Sequence, residues 1–257
     1  MDNRVLITGA SQGIGYEFAK LFAADGRHLV LLARDEKRLR EIAAELQARY
    51  DVKVLVLPKD LSKPDAAREI FDDLKREQVQ VTVLVNNAGF GMQGRFAEVD
   101  LQRHLDLLQV NVTALVQLTH WFVQPMIARG EGKILNVSSI AAFLPGPYQS
   151  MYYASKAFVH LFSQALAQEL AGTGVTVTTV YPGLTKSQFH VRAGVKRPTT
   201  FVMMSAAAVA RLGYRGLLAG RRTVVTGWQN KAFVAVARIA PTRLLAAGAA
   251  RANRPAS

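Results

Sequence analysis

Two kinds of segment alternate along the chain. One is a short, nearly continuous apolar run, of which Leu29-Val30-Leu31-Leu32 is typical; the other is longer, with apolar positions recurring at helical spacing. Apolar runs without a polar face belong to strands covered on both sides, as in a parallel sheet between helical layers. Strands are expected near Arg4–Thr8, His28–Ala33, Lys53–Leu57, Val81–Val85, Lys133–Val137, Val175–Tyr181 and Thr223–Thr226. Helices are expected near Ile14–Ala24, Glu36–Arg49, Asp65–Glu77, Leu101–Ala128, Ser150–Leu170 and Ala206–Leu218. This alternation implies one doubly wound α/β domain, with a mainly parallel seven-stranded sheet and helices on both faces.

Composition narrows the chemistry. The 257 residues are half apolar and one-fifth charged, which excludes general disorder, and the absence of cysteine excludes disulfides, thiolate metal sites and a thiol nucleophile. The five histidines, at 28, 104, 120, 160 and 190, lack metal-ligand spacing, so no metal site is expected. The net charge of +13 is unevenly placed: residues 1–183 carry 19 basic and 19 acidic side chains, residues 184–257 carry 13 basic and none acidic. No recognition motif accompanies the charge, so nucleic acid is not an expected partner. No apolar stretch is long enough to span a bilayer and no signal-peptide core opens the chain, so a cytoplasmic protein is expected. Residues 1–227 read as the nucleotide-binding and catalytic domain, and 228–257 as a basic C-terminal extension of two short amphipathic helices. Such helices lie on anionic membranes or pack on the core, so peripheral membrane contact stays open. The Ala/Arg-rich tail Ala246–Ser257 is expected to fray.

The first strand runs into Thr8-Gly9-Ala10-Ser11-Gln12-Gly13-Ile14-Gly15. Its glycines allow a tight turn and close approach of backbone N–H groups to a pyrophosphate, at a helix N-terminus that favours negative charge. The acid that would bind a 2′-hydroxyl at the end of the second strand is replaced by Ala33, and Arg34 follows, suited to a 2′-phosphate. NADP(H) is therefore expected, with Arg38 one turn on as an assistant and Asp35 as the cap of the next helix. Asp60 and Leu61, after the third strand, are expected beside the adenine; a cap for the helix near Pro64 is the other reading of Asp60.

Tyr152 and Lys156 stand four apart on a helical segment and so share a face. An ammonium beside a phenol favours phenolate and lowers the tyrosine pKa, which suits proton exchange with a carbonyl or alcohol oxygen. Ser139, just past the strand Lys133–Val137, is placed to polarise that oxygen.

Together with Asn86-Asn87-Ala88-Gly89, Asn111, Ser138-Ser139, Tyr152-Tyr153-Ala154-Ser155-Lys156 and Pro182-Gly183, these residues resemble the short-chain dehydrogenase/reductase family over about residues 3–227. The resemblance implies a Rossmann-like fold and NADP-dependent oxidoreduction. It makes Tyr152 the general acid/base, Ser139 the residue orienting the carbonyl, Lys156 the ligand of the nicotinamide ribose, and Asn111 the holder of a water in a proton relay. Ser138 and Tyr153 are the weaker serine and tyrosine. By the same resemblance Asn87, Ala88 and Gly89 border the adenosine portion, and Pro182, Gly183 and Thr185 the nicotinamide.

Phe90, Met92, Phe143, Leu144, Tyr148 and Gln149, with a lid from Phe189 to Met204, are expected around the substrate. They suit a hydrophobic ketone or aldehyde, reduced to an alcohol. Lys186, Arg192, Lys196 and Arg197, on or beside the lid, either attract an anionic carrier, which suggests a 3-oxoacyl thioester instead, or form a solvated face. Outside catalysis, the same features would also fit an NADPH-binding module or a protein of the membrane surface. The apolar outer faces of Leu101–Ala128 and Ser150–Leu170 suggest a homodimer or homotetramer.

Overall fold

The structure, a computed structural model, describes residues 2–186 and 203–255. In chain order the elements are β1 (Asp2–Thr8), α1 (Gly13–Ala24), β2 (His28–Ala33), α2 (Glu36–Arg49), β3 (Val54–Pro58), α3 (Ala66–Arg76) and β4 (Val79–Asn86). There follow α4 (Leu101–Leu108), α5 (Ala114–Arg129), β5 (Gly132–Val137), α6 (Ser150–Glu169), β6 (Val175–Tyr181), β7 (Thr185–Lys186), β8 (Met204–Ser205), α7 (Ala206–Leu218), β9 (Thr223–Val225), α8 (Trp228–Ala237) and α9 (Thr242–Asn253).

Seven strands form one sheet in the order β3-β2-β1-β4-β5-β6-β9, every pair parallel. The strand order reverses between β1 and β4, where Ile7 pairs with Leu31 on one side and Val85 on the other. A crevice opens beyond the strand ends at such a switch point.

The doubly apolar run in β2 follows from the pleat. Leu29 and Leu31 enter the core under α1, α2 and α7, with Phe18, Phe22, Leu39, Ile42 and Val209. Val30 and Leu32 enter the opposite core under α3 and α5, with Ile70, Leu74, Leu118 and Phe122. Each fully buried side chain of this size contributes about 1.5–3 kcal/mol, and here one strand contributes to both layers. The second layer also holds polar groups. Asn86 Nδ2 donates to Thr119 Oγ1 (3.1 Å) and Asn136 Oδ1 (2.9 Å), and Asn136 Nδ2 donates to Ser163 Oγ (2.9 Å), tying β4, β5, α5 and α6 together.

Two expectations change. The helix expected over Leu101–Ala128 is interrupted: a π-helical turn at Gln109–Thr113 separates α4 from α5. The tail expected to fray is α9, ordered to Asn253, which is buried. Helices α8 and α9 turn Val234, Ala237 and Ala249 inward and leave Trp228, Val236 and Leu244 exposed, with Ile239 exposed in the link between them. No helix among the described residues is long and apolar enough to cross a membrane.

Candidate active site

Thr8 closes β1 and holds the turn after it. Its Oγ1 donates to the Val85 carbonyl (3.2 Å) and accepts from the N–H groups of Asn87 (3.0 Å) and Ala88 (2.9 Å). Asn87 Nδ2 returns the contact, donating to the carbonyls of Thr8 (2.9 Å) and Gly9 (3.2 Å). The turn needs glycine at Gly9, where φ is +66°, and at Gly13, where φ is +58°. Gly15 meets a different demand: a Cβ there would lie 2.3 Å from the Gly9 carbonyl oxygen. Gln12, before α1, has extended backbone and a side chain that caps nothing, and the first turn of α1 holds no acid. No carboxylate of the helix's own first turn competes for the first N–H groups of α1, which favours an anion such as a pyrophosphate there.

From this turn a cleft of about 1070 Å³ runs across the strand ends. Gly9, Ser11, Gln12, Gly13 and Ile14 line its middle, and Arg34, Asp60 and Leu61 one end. Asn87, Ala88, Gly89, Pro182, Gly183 and Thr185 continue the wall toward Ser139, Tyr152 and Lys156. Of the residues expected at the cofactor, Gly15 and Arg38 do not line the cleft; Gly15 sets the turn from behind. Arg34 is exposed at the rim, whereas Arg38 is drawn away, its guanidinium 2.9 Å from Glu41 and over the Tyr16 ring. Arg38 is thus no second phosphate ligand. Asp35 caps α2 as expected, accepting from Arg38 N (3.0 Å). Asp60 caps no helix: it accepts from Ser62 N (3.0 Å) in its own turn, while α3 starts after Asp65.

The reactive end is built by β5 and α6. Ser139 follows β5, accepts from Ala141 N (3.1 Å) and hydrogen-bonds Tyr152. Lys156, 5% exposed, donates to the Val137 carbonyl (2.9 Å), and its Nζ lies 5.9 Å from the Tyr152 ring centroid. Desolvation lowers the Lys156 pKa to about 8. Desolvation also pushes Tyr152 up to about 12, against a smaller lowering by the Ser139 hydrogen bond. Tyr152 is therefore a phenol across neutral pH: burial dominates, and what opposes it is the Ser139 hydrogen bond, not the expected lowering by Lys156. Ser138 faces inward, donating to the Lys156 carbonyl (2.8 Å), which pins α6 to the end of β5.

Asn111 sits in the π turn. Its Oδ1 accepts from Phe90 N (3.0 Å), and its Nδ2 donates to Phe90 O (3.0 Å) and Ser155 Oγ (3.1 Å). The side chain is committed to the loop after β4. A Cβ on Gly89 would lie 3.0 Å from Asn111 Oδ1 and 3.4 Å from Lys156 Nζ, so glycine lets that loop approach both.

The expected substrate residues divide. Phe90, Leu144 and Gln149 line the cleft. Met92, Phe143 and Tyr148 are not among its lining residues: Met92 is buried, and Phe143 packs on His160 and Tyr181. The Tyr148 backbone is left-handed (φ +65°), its carbonyl accepting from Gly94 N (2.8 Å). Phe189 and most of the expected lid, with Arg192, Lys196 and Arg197, lie outside the described residues. The C-terminal helices, expected as an extension, supply wall residues that the sequence pattern did not single out. Gln229, Asn230 and Phe233 come from α8; Ala249, Ala252 and Asn253 come from α9. One signal for Asn230 is Gly183, whose missing Cβ would lie 2.3 Å from it.

A glycine-lined cleft at a sheet switch point, ending in a serine–tyrosine–lysine group, defines a nucleotide-dependent oxidoreductase of the doubly wound α/β class. The family described as short chain dehydrogenase matches residues 3–197, and the chain belongs to that family. Sulfoacetaldehyde reductase 2 of Chromohalobacter salexigens is 40% identical over 197 residues, covering 76% of this chain and 77% of that protein. A short-chain dehydrogenase from Sphingobium yanoikuyae, solved with NADPH, superposes with a TM-score of 0.82 at 34% identity, covering 88% and 87% of the two chains. The L-sorbose reductase of Gluconobacter frateurii, solved with NADPH and L-sorbose, superposes with a TM-score of 0.78 at 26% identity, covering 88% and 97%.

Proposed function

We propose that the protein reduces a ketone or aldehyde to an alcohol with NADPH. The observation that carries this is one cleft holding the hydrogen-bonded Ser139–Tyr152 pair and the buried Lys156 at one end and Arg34 at the other. NADPH, when bound, supplies a hydride to the carbonyl carbon. Gly9 to Ile14 hold the pyrophosphate on backbone N–H groups. Arg34 pairs with the 2′-phosphate, and Asp60 and Leu61 flank the adenine. Lys156, anchored on Val137, hydrogen-bonds the nicotinamide ribose. Ser139 orients the substrate oxygen, and Tyr152 gives it a proton as negative charge develops. One proton is consumed with each hydride. Asn111, clamping the loop at Phe90, keeps Gly89 against Lys156 and lets a water relay protons toward the lysine.

Phe90, Leu144 and Phe233 give the substrate end an apolar body, suited to a hydrophobic carbonyl compound. Exposed Leu101 and Leu105 on α4 and Phe158 and Leu161 on α6 are the surfaces on which a homo-oligomer would form.

The test is oxidation of NADPH and of NADH by the pure protein over ketones, aldehydes and 3-oxoacyl thioesters. Turnover with NADPH well above NADH supports the reading. Turnover with NADH alone removes the role of Arg34, and preference for a thioester over its free ketone moves the substrate to the acyl carriers. No turnover on any carbonyl, with NADPH still bound, overturns the reductase reading in favour of a binding module.

A further inference from the structure

Asn253, the last residue of α9, is 6% exposed and hydrogen-bonded on every side. Its Oδ1 accepts from Gln149 Nε2 (3.1 Å), and its Nδ2 donates to the Pro147 carbonyl (3.3 Å) and the Tyr153 hydroxyl (3.2 Å). Its own carbonyl accepts from Gln93 Nε2 (2.6 Å). Gln149, Tyr153 and Asn253 all line the cleft.

Tyr153 adjoins the catalytic tyrosine: the two rings lie edge to face with centroids 6.0 Å apart. Gly146 fixes the ring, since a Cβ at that position would sit 2.1 Å from Tyr153 Cγ. Asn253 fixes the hydroxyl by donating to its oxygen. A phenol accepting in this way keeps its own proton for donation. Among the described residues no acceptor takes that proton, and Tyr153 stands in the cleft wall.

We infer that Tyr153, oriented by Asn253 of the C-terminal helix, is a second substrate-binding hydroxyl. It selects carbonyl compounds that carry an oxygen acceptor on the carbon next to the carbonyl. The inference rests on the reductase reading and names its substrate class. The two rings are neighbours in one cleft wall, so the acceptor that Tyr153 meets sits close to the carbonyl that Tyr152 meets, on the adjoining carbon in the smallest such substrate. The apolar remainder of the molecule then faces Phe90, Leu144 and Phe233. An isostere with a methyl in place of the acceptor sets an apolar group against the Tyr153 hydroxyl and leaves its proton without a partner, which costs about ten-fold or more in binding.

The test uses 2-hydroxyacetophenone and propiophenone, which differ by a hydroxyl against a methyl. Binding of each to the full-length Tyr152→Phe protein with saturating NADPH, measured by calorimetry, avoids turnover. The hydroxy ketone is expected to bind about ten-fold more tightly. Adding Tyr153→Phe, which retains the ring against Gly146, brings the ratio to near one; Asn253→Ala does the same. In the Tyr152-containing protein the same substitutions collapse the ratio of kcat/KM chiefly through KM. Equal binding of the two ketones, a ratio that survives Tyr153→Phe, or equal weakening of both ketones overturns the proposal. Failure of the protein to bind NADPH would instead overturn the reductase reading, and this proposal with it. If the Asn253→Ala protein does not fold, Tyr153→Phe decides alone.

Discussion

Lys156 Nζ donates to the carbonyl of Val137 across 2.9 Å, so the last residue of β5 holds the ammonium of the catalytic group. That bond gives the lysine a fixed position in a poorly solvated site, and burial lowers its pKa from 10.5 to about 8. The unfolded chain binds this proton more readily than the folded one. The resulting destabilisation is complete below pH 8, shrinks between pH 8 and 10.5, and is gone above it. It amounts to roughly 3 kcal/mol at most, less about 1 kcal/mol returned by the hydrogen bond. Lys156→Met is expected to abolish turnover yet raise Tm by about 4 °C at pH 7, with the gain vanishing toward pH 10.5 in thermal melts.

Tyr152, held near 12, is protonated throughout the working range and is poised to give a proton. Tyr152→Phe should lower carbonyl reduction by about a thousand-fold or more while NADPH titration is unchanged. In the unsubstituted enzyme, reduction should be flat below pH 8 and fall above it as Lys156 loses its charge. Alcohol oxidation, which needs the phenolate, should rise across the same range. A reduction rate that climbs from pH 6 to 9 would contradict both assignments.

Arg34 is exposed at the cleft rim, and Ala33 closes β2 where an acid would bind a 2′-hydroxyl; the adjoining Asp35 caps α2. A charge-assisted hydrogen bond contributes about 1.5–3 kcal/mol. Arg34→Ala should therefore cost ten- to a hundred-fold in kcat/KM for NADPH and leave NADH nearly untouched. Arg38→Ala should change neither, because Glu41 already holds that guanidinium.

Asn136 joins Asn86 to Ser163 between β4, β5 and α6. Asn136→Ala strands donors and acceptors that have no water to turn to, and should cost about 2–4 kcal/mol in denaturant unfolding. NADPH affinity measured well below the unfolding transition should be retained.

The strands were legible because their signal is local. Leu29 to Leu32 must be covered on both faces whatever else the chain does, and glycines at a strand–helix junction announce a tight turn. The Tyr152–Lys156 spacing is equally local, since one helix places both. The π turn was not legible: Gln109-Val110-Asn111-Val112-Thr113 holds nothing that forbids an ordinary helix, and the Asn111 contacts that accompany the widened turn reach Phe90 and Ser155 from other segments. Met92, Phe143 and Tyr148, which do not line the cleft of the described residues, could not be told from Phe90 and Leu144 in the sequence, because an apolar residue after a strand suits the cleft and the core equally well. Arg38 was misjudged because the helical spacing that placed it one turn from Arg34 also placed Glu41 within its reach. The role of α9 was hidden by distance, as Asn253 meets Gln149 and Tyr153, 104 and 100 residues earlier in the chain.

The π turn at Gln109–Thr113 behaves as one surplus residue threaded into an otherwise continuous rod. It sets α4 and α5 out of phase by about 100°, one residue's rotation on a 3.6-residue turn. Removing a single residue there would mend the rod, improve its hydrogen bonding and swing Asn111 away from Phe90. A one-residue deletion that makes the helix more regular is expected to lower carbonyl reduction, through loss of the Asn111 contacts with Phe90 and Ser155.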